Sequence, residues 1–322
     1  MRFVIFGAGA IGGVLGARLH QAGFDVTLIA RGAHLEAIRR DGLTLLTPVQ
    51  RAVLPLTAVA GPDEVGWSGD EIVLLAIKGQ DTLAALTGLR DSAGATVPVV
   101  CMQNGVENER LALRLFADVY AAAVMVPAAH LRPGTVESYA TRLTGMIDVG
   151  RYPDGADERC EQLCAALESA GFEARVVPDV MRLKHAKLLL NLRNAIEALF
   201  RPGEGIDELS RLAQAEGRAA LTAAGVEFVA DEVSDVRGRW DRMGMTEIDG
   251  RPRAGSSTWQ SLARGAAALE TDYLNGEIVL AGRLYGVSTP VNEALCRLAA
   301  RAARRGAEPG SLQAGDVLAV VA

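Results

Sequence analysis

Apolar residues in the first half of the chain fall in short, β-branched runs, Phe3 to Phe6, Val26 to Ile29, Ile72 to Ile77, Val97 to Met102 and Ala121 to Val126, separated by amphipathic stretches. Runs that are apolar at consecutive rather than alternate positions suit strands covered on both faces. Such strands alternating with helices predict a doubly wound, mostly parallel sheet, the Rossmann architecture of the α/β class. Thr135 to Tyr139 and Gly145 to Val149 read as two strands of an antiparallel extension, Asp157 to Ala170 as a helix closed by Gly171, and Glu173 to Val177 as one more strand. From Pro178 onward the strand signals stop and helical spacing takes over, which predicts a Rossmann domain over 1–178 and an all-α domain over 179–322. Ser234 to Ser256, rich in Arg, Gly and Asp and containing Arg251-Pro252-Arg253, breaks helical periodicity and reads as a loop.

The first strand runs directly into Gly7-Ala8-Gly9-Ala10-Ile11-Gly12, which opens an apolar helix reaching about His20. This is the strand, glycine turn and helix of a dinucleotide site: Gly7 for the tight turn, Gly9 for close approach of a pyrophosphate, Gly12 for packing of helix on strand. The helix N-terminus favours the anion. Where an NAD enzyme places an acid for the ribose hydroxyls, the second strand ends Ile29-Ala30-Arg31, and Asp25 lies too early to substitute. A guanidinium there suits the 2′-phosphate of NADPH, with bidentate, charge-assisted contacts that NADH lacks. Lys78 and Asn104, the latter in an Asn-Gly turn, follow later strands at the edge where ligands of such sheets bind.

In the helical half, Arg182 to Ile196 reads as one helix. At about 100° per residue Lys187, Asn191 and Asn194 share a narrow polar face, beside an apolar arc of Leu188, Leu189, Leu192, Ala195, Ile196 and Leu199. Asparagine is a poor helix former and an uncommon choice for a solvent face, so the strip reads as the wall of a polar cleft whose groups need partners.

Charge and composition narrow the ligand class. A formal net charge of -6 and a pI near 5.4 leave no basic footprint for nucleic acid. The cysteines, Cys101, Cys160, Cys164 and Cys296, have no framework spacing, and the histidines are dispersed, so buried free thiols and no metal site are expected. Arg2 is followed at once by strand residues with no cleavage pattern, and no window reaches about 20 unbroken apolar residues, so a cytoplasmic protein without membrane contact is expected.

Four landmarks in order, the fingerprint with Arg31, the Asn104-Gly105 turn, Lys187-x3-Asn191, and Glu270-Thr271-Asp272-Tyr273-Leu274-Asn275-Gly276-Glu277, resemble the ketopantoate reductase family across nearly the whole chain. The resemblance implies reduction of ketopantoate (2-dehydropantoate) to pantoate with NADPH, for pantothenate and coenzyme A synthesis. It implies that Lys187 is the general acid, that Glu270 interacts with it and that Asn104 lies beside it, toward both substrate and cofactor. It further implies that Asn191 binds a substrate oxygen and that Lys78 joins Gly7, Ala8, Gly9, Ala10, Ile11, Gly12 and Arg31 in holding the cofactor. A hydroxyl within Ser256-Ser257-Thr258 meets the substrate carboxylate, either Ser257 or Thr258. The family's second asparagine, eight residues after the lysine, is Ala195 here, and Asn194, one residue earlier, is taken with Asn191 as a substrate-binding residue. Two other readings stand beside the first: a paralogous NADPH-dependent reductase of another 2-oxo acid, and a non-catalytic NADP-binding sensor. The active site is expected in a cleft between the domains. The resemblance admits a homodimer through the helical domain, although Leu- and Ala-rich helices equally serve a monomer's core.

Overall fold

The computed structural model describes residues 1–229 and 232–314, with backbone alone for 232–237. Residues 315–322, assigned above to the helical domain, lie outside the described residues. In chain order the strands are β1 (Arg2–Phe6), β2 (Asp25–Ile29), β3 (Leu43–Leu46), β4 (Arg51–Leu54), β5 (Thr57–Val59), β6 (Glu71–Leu75), β7 (Val99–Cys101), β8 (Val119–Met125), β9 (Ala128–Arg132), β10 (Thr135–Ser138), β11 (Met146–Arg151) and β12 (Glu173–Val176). An eight-stranded sheet takes the order β12-β11-β8-β7-β6-β1-β2-β5 and is parallel except where β11 meets β8. β1, between β2 and β6, is the strand that feeds the glycine turn, and its residues Phe3, Val4 and Ile5 are wholly buried.

Thr135 to Tyr139 does not extend that sheet. β10 pairs antiparallel with β9 and parallel with β3 in a separate four-stranded sheet of order β4-β3-β10-β9. The reason lies in the helix Ala10–Gln21, which packs on β1 and β2 and also against β3, β9 and β10. Its Val14, Leu15, Ala17 and Leu19 are fully buried, as expected of a helix apolar on most sides. Glycine permits the double contact: a Cβ on Gly13 would lie 2.5 Å from Val136 Cγ1, and one on Gly12 would collide with the Gly7 carbonyl oxygen.

Contacts divide the chain into two units. One comprises Met1–Gln103, Glu107–Met181 and Ser234–Arg253; the other comprises the described residues of Asn104–Val106, Arg182–Val233 and Ala254–Ala322. The second unit is helical, with helices Val180–Asn191 (its first two residues in the other unit), Arg193–Leu199, Ile206–Ala223, Ser257–Ala263, Asn275–Tyr285 and Pro290–Arg305. The predicted apolar arc forms part of its core: Leu188, Leu189, Leu192, Ala195, Ile196 and Leu199 are each at most 1% exposed.

The segment expected as a loop instead lies partly in a helix, Glu232–Met243, that from Ser234 onward belongs to the sheet-bearing unit. Arg239, 5% exposed, donates to the 2% exposed Asp148 of β11, which also receives Arg175 Nε at 2.8 Å. Met243 packs fully buried with Met125, Ala140 and Met146. The helix is thus fixed by a buried ion pair and a methionine cluster rather than by a long apolar stripe.

Candidate active site

In the sheet-bearing unit, the predicted cofactor residues gather at the C-terminal edge of three adjacent strands. Gly7, at φ 107°, turns the chain out of β1, and the Gly7 and Ala8 amides both donate to the Ile29 carbonyl at the end of β2. Gly9 occupies the N-cap of the helix Ala10–Gln21 with no side-chain cap, and no acid lies in the first turn. A Cβ on Gly9 would meet nothing within 4 Å, in contrast to Gly7 and Gly12. Open backbone donors at a helix start, beside space that a side chain would fill, are what a pyrophosphate needs. Arg31 follows β2 as an exposed residue and enters no ion pair among the described residues. Lys78 follows β6 on the other side of β1, partly buried, at the N-cap of the turn Gly79–Asp81. The glycine turn and its open helix start fit a dinucleotide cofactor.

Sequence reasoning assigned no role to His34. Its Nδ1 accepts the Gly134 amide at 2.8 Å, so its Nε2 carries the proton and donates to the Ala8 carbonyl at 2.8 Å. Burial lowers its pKa, more than the Ala8 contact raises it, and this net lowering favours the neutral ring. His34 therefore ties the glycine turn to the β9–β10 hairpin, a contact with no local sequence signature.

In the helical unit, Lys187 Nζ donates to Asn104 Oδ1 at 2.7 Å. Lys187 is partly buried, and its ammonium is drawn down to about 7, first by desolvation, then by the charge of Lys184, with Glu270 opposing. Glu270, 4% exposed, begins the turn Glu270–Tyr273. Lys184, 2% exposed and one helical turn before Lys187, was not singled out from the sequence, although the i, i+3 spacing of two lysines beside an apolar arc carried the signal. The arrangement places an amine that titrates near neutrality beside a fixed acceptor and a buried carboxylate, the condition for a general acid.

The predicted substrate residues divide differently from the single-helix reading. The helix stops at Asn191 and a second begins at Arg193, so Asn194 is carried by a separate helix from Lys187 and Asn191. Asn191 Nδ2 is buried without a hydrogen-bond partner. Ser256 caps the helix Ser257–Ala263, accepting from the Trp259 amide and donating to the Asn194 carbonyl at 3.2 Å. Ser257 Oγ and Thr258 Oγ1 are buried and unpartnered. A buried polar atom left unmatched costs about 1–3 kcal/mol, so three of them among the predicted substrate residues are groups with ligand capacity to spare. Ala195, at 1% exposure, turns into the core.

Comparison with known proteins follows the same outline. The family model described as ketopantoate reductase PanE/ApbA matches residues 3–154, and its C-terminal counterpart matches residues 179–303. A 2-dehydropantoate 2-reductase of Archaeoglobus fulgidus is 31% identical over 318 residues, 96% of this chain and 98% of that one. A solved PanE/ApbA family ketopantoate reductase from Ralstonia eutropha is 31% identical with a TM-score of 0.79, covering 95% of this chain and 99% of that one. A D-mandelate dehydrogenase solved with NADH and anilino(oxo)acetate shares the fold at 22% identity and a TM-score of 0.81, covering 95% and 99%. With both halves matched in order and near-complete coverage, the chain belongs to the ketopantoate reductase family of oxidoreductases.

Proposed function

We propose that this protein reduces 2-dehydropantoate to pantoate with NADPH, in pantothenate and coenzyme A synthesis, with Lys187 as the general acid. The observation that carries the reading is the Lys187 ammonium, held to Asn104 at 2.7 Å and lowered to about 7. NADPH supplies the hydride that forms the new C–H bond at the ketone carbon. As the carbonyl oxygen becomes an alkoxide, Lys187 stabilises its charge and delivers the proton that completes the alcohol. Glu270 favours the protonated amine and keeps it oriented. Asn191 Nδ2 and the hydroxyl of Ser257 or Thr258 donate to the oxo acid's carboxylate, supplying the partners that these buried atoms lack. The Gly7 to Gly12 turn receives the pyrophosphate, Arg31 the 2′-phosphate, and Lys78 a further part of the cofactor. The buried free thiols Cys101, Cys160 and Cys164 accord with a reducing cytoplasm, and no helix among the described residues is long and apolar enough to cross a membrane.

A second reading, a reductase of another 2-oxo acid, is favoured by Ala195, which carries no amide where the family's second asparagine would stand. Steady-state NADPH oxidation with ketopantoate, run beside NADH and a panel of 2-oxo acids, separates the two. NADPH-specific turnover highest on ketopantoate supports the first; activity confined to another oxo acid keeps the chemistry and reassigns the substrate.

A pH dependence follows. Lys187 carries its proton below about 7 and loses it above, so kcat/KM for reduction should be level on the acid side and fall as pH rises through about 7. Oxidation of the hydroxy acid needs the neutral amine and should rise through the same range. A reduction rate that stays level from about pH 6 to 9 would assign the proton to another group.

A further inference from the structure

Asn275 belongs to the motif after Glu270 but has no role in the chemistry above. Its side chain is wholly buried, and Nδ2 donates both to the Leu192 carbonyl at 3.2 Å and to Asn292 Oδ1 at 3.0 Å. Asn292, also wholly buried, donates from its own amide to the Ala213 carbonyl at 3.0 Å and to Glu216 Oε2 at 2.7 Å. Glu216 in turn accepts the backbone amides of Val291 at 2.8 Å and Asn292 at 3.0 Å. Those are open donors in the first turn of the helix Pro290–Arg305, so a carboxylate there is firmly held. A continuous polar chain therefore crosses a core in which Leu188, Leu192, Leu274, Ile278 and Leu295 are fully buried.

The chain ends at the one residue separating the helices Val180–Asn191 and Arg193–Leu199. Leu192 keeps helical dihedrals, φ -57° and ψ -29°, and neither proline nor glycine stands nearby to interrupt the ladder. The Leu192 amide keeps its bond to the Leu188 carbonyl at 3.2 Å, and the Leu192 carbonyl accepts Asn275 Nδ2 from outside the helix. Asn191 directly precedes Leu192 and Asn194 lies two residues beyond it, so the hydrogen bond from Asn275 anchors the backbone between the two. The arrangement also has a stability cost. Asn275 Oδ1 is buried without a partner, and the amide cannot turn over, because its nitrogen faces two acceptors. An apolar residue would avoid that uncompensated desolvation.

We propose that Asn275 is a positioning residue of the substrate site: it holds the helix junction at Leu192 so that Asn191 and Asn194 address one bound 2-oxo acid, with Glu216 as the fixed far end of the chain. This rests on the reading of those two asparagines as substrate ligands.

The test compares wild type, Asn275→Ala and Glu216→Gln for kcat, for KM toward ketopantoate and the oxo-acid panel, for KM toward NADPH, and for thermal midpoint. Asn275→Ala should raise the oxo-acid KM about tenfold or more, the loss of about one hydrogen bond's discrimination, with a smaller change in kcat and the NADPH KM within about twofold. Glu216→Gln keeps the side chain's shape and should move the same constant in the same direction by less. A lower midpoint with the oxo-acid KM unmoved makes Asn275 a purely structural residue and overturns the proposal. Should Asn275→Ala not fold, Glu216→Gln decides alone, and an unmoved oxo-acid KM has the same meaning. Wild-type silence on every 2-oxo acid removes the functional reading and this inference together, whereas wild-type turnover with unmoved variant constants removes the inference only.

Discussion

Lys187→Ala is expected to lower kcat for the reduction by about 10²–10⁴-fold while leaving NADPH affinity near that of the wild type. The magnitude follows from what the amine does. Hydride arrival places a full negative charge on an oxygen, and Lys187 is a partly desolvated cation whose proton affinity, near 7, is matched to giving up its proton at neutral pH. Lys187→Arg sharpens the test, because a guanidinium retains charge but not a proton that leaves near neutrality. It should recover part of the rate and lose the fall in activity through about pH 7. Turnover by single-wavelength NADPH oxidation, with cofactor affinity from fluorescence titration, reads both quantities. A Lys187→Ala rate close to wild type would mean that another group supplies the proton.

Arg31→Ala should carry the second largest effect, and a selective one. Hydrogen bonds to a charged group contribute about 1.5–3 kcal/mol, so NADPH affinity should fall about tenfold to a hundredfold, whereas NADH affinity should change little because it lacks the phosphate. The exposed position of Arg31 also predicts that the NADPH preference weakens as salt rises. Parallel titrations with the two cofactors at two ionic strengths check both points. Equal losses for NADPH and NADH would remove the phosphate role.

Much of this was legible in the chain itself, for reasons that differ by residue. β1, β2, β6 and β8 are mostly apolar and buried at nearly every position, the pattern that sequence reports best. β4 was missed because its burial alternates weakly along Arg51–Leu54 at the outer edge of the smaller sheet, and β9 because only its first two residues are buried. The helix Glu232–Met243 was missed because Arg239 is buried by Asp148, 91 residues earlier, and a charge that is buried by a distant partner looks like a surface charge. At the candidate site, Lys187, Asn104 and Glu270 could be named because motif spacing carries them. The buried hydrogen bond that ties Asn275 to the Leu192 carbonyl could not, since it joins residues 83 apart.

The buried pair of Arg239 and Asp148 also limits how the chain can be recombined. A single crossover near Pro178 between this protein and a relative would deliver Asp148 from one parent and residue 239 from the other. A mismatched partner there takes from Asp148 its buried arginine and leaves it only the half-exposed Arg175, which loosens the anchoring of the helix Glu232–Met243. The segment Ser234–Arg253 must therefore travel with residues 1–181, which takes two further crossovers. The sheet-bearing unit is consequently encoded in this chain by stretches of the gene interleaved with those of the helical unit, not by one cassette ending at a single seam.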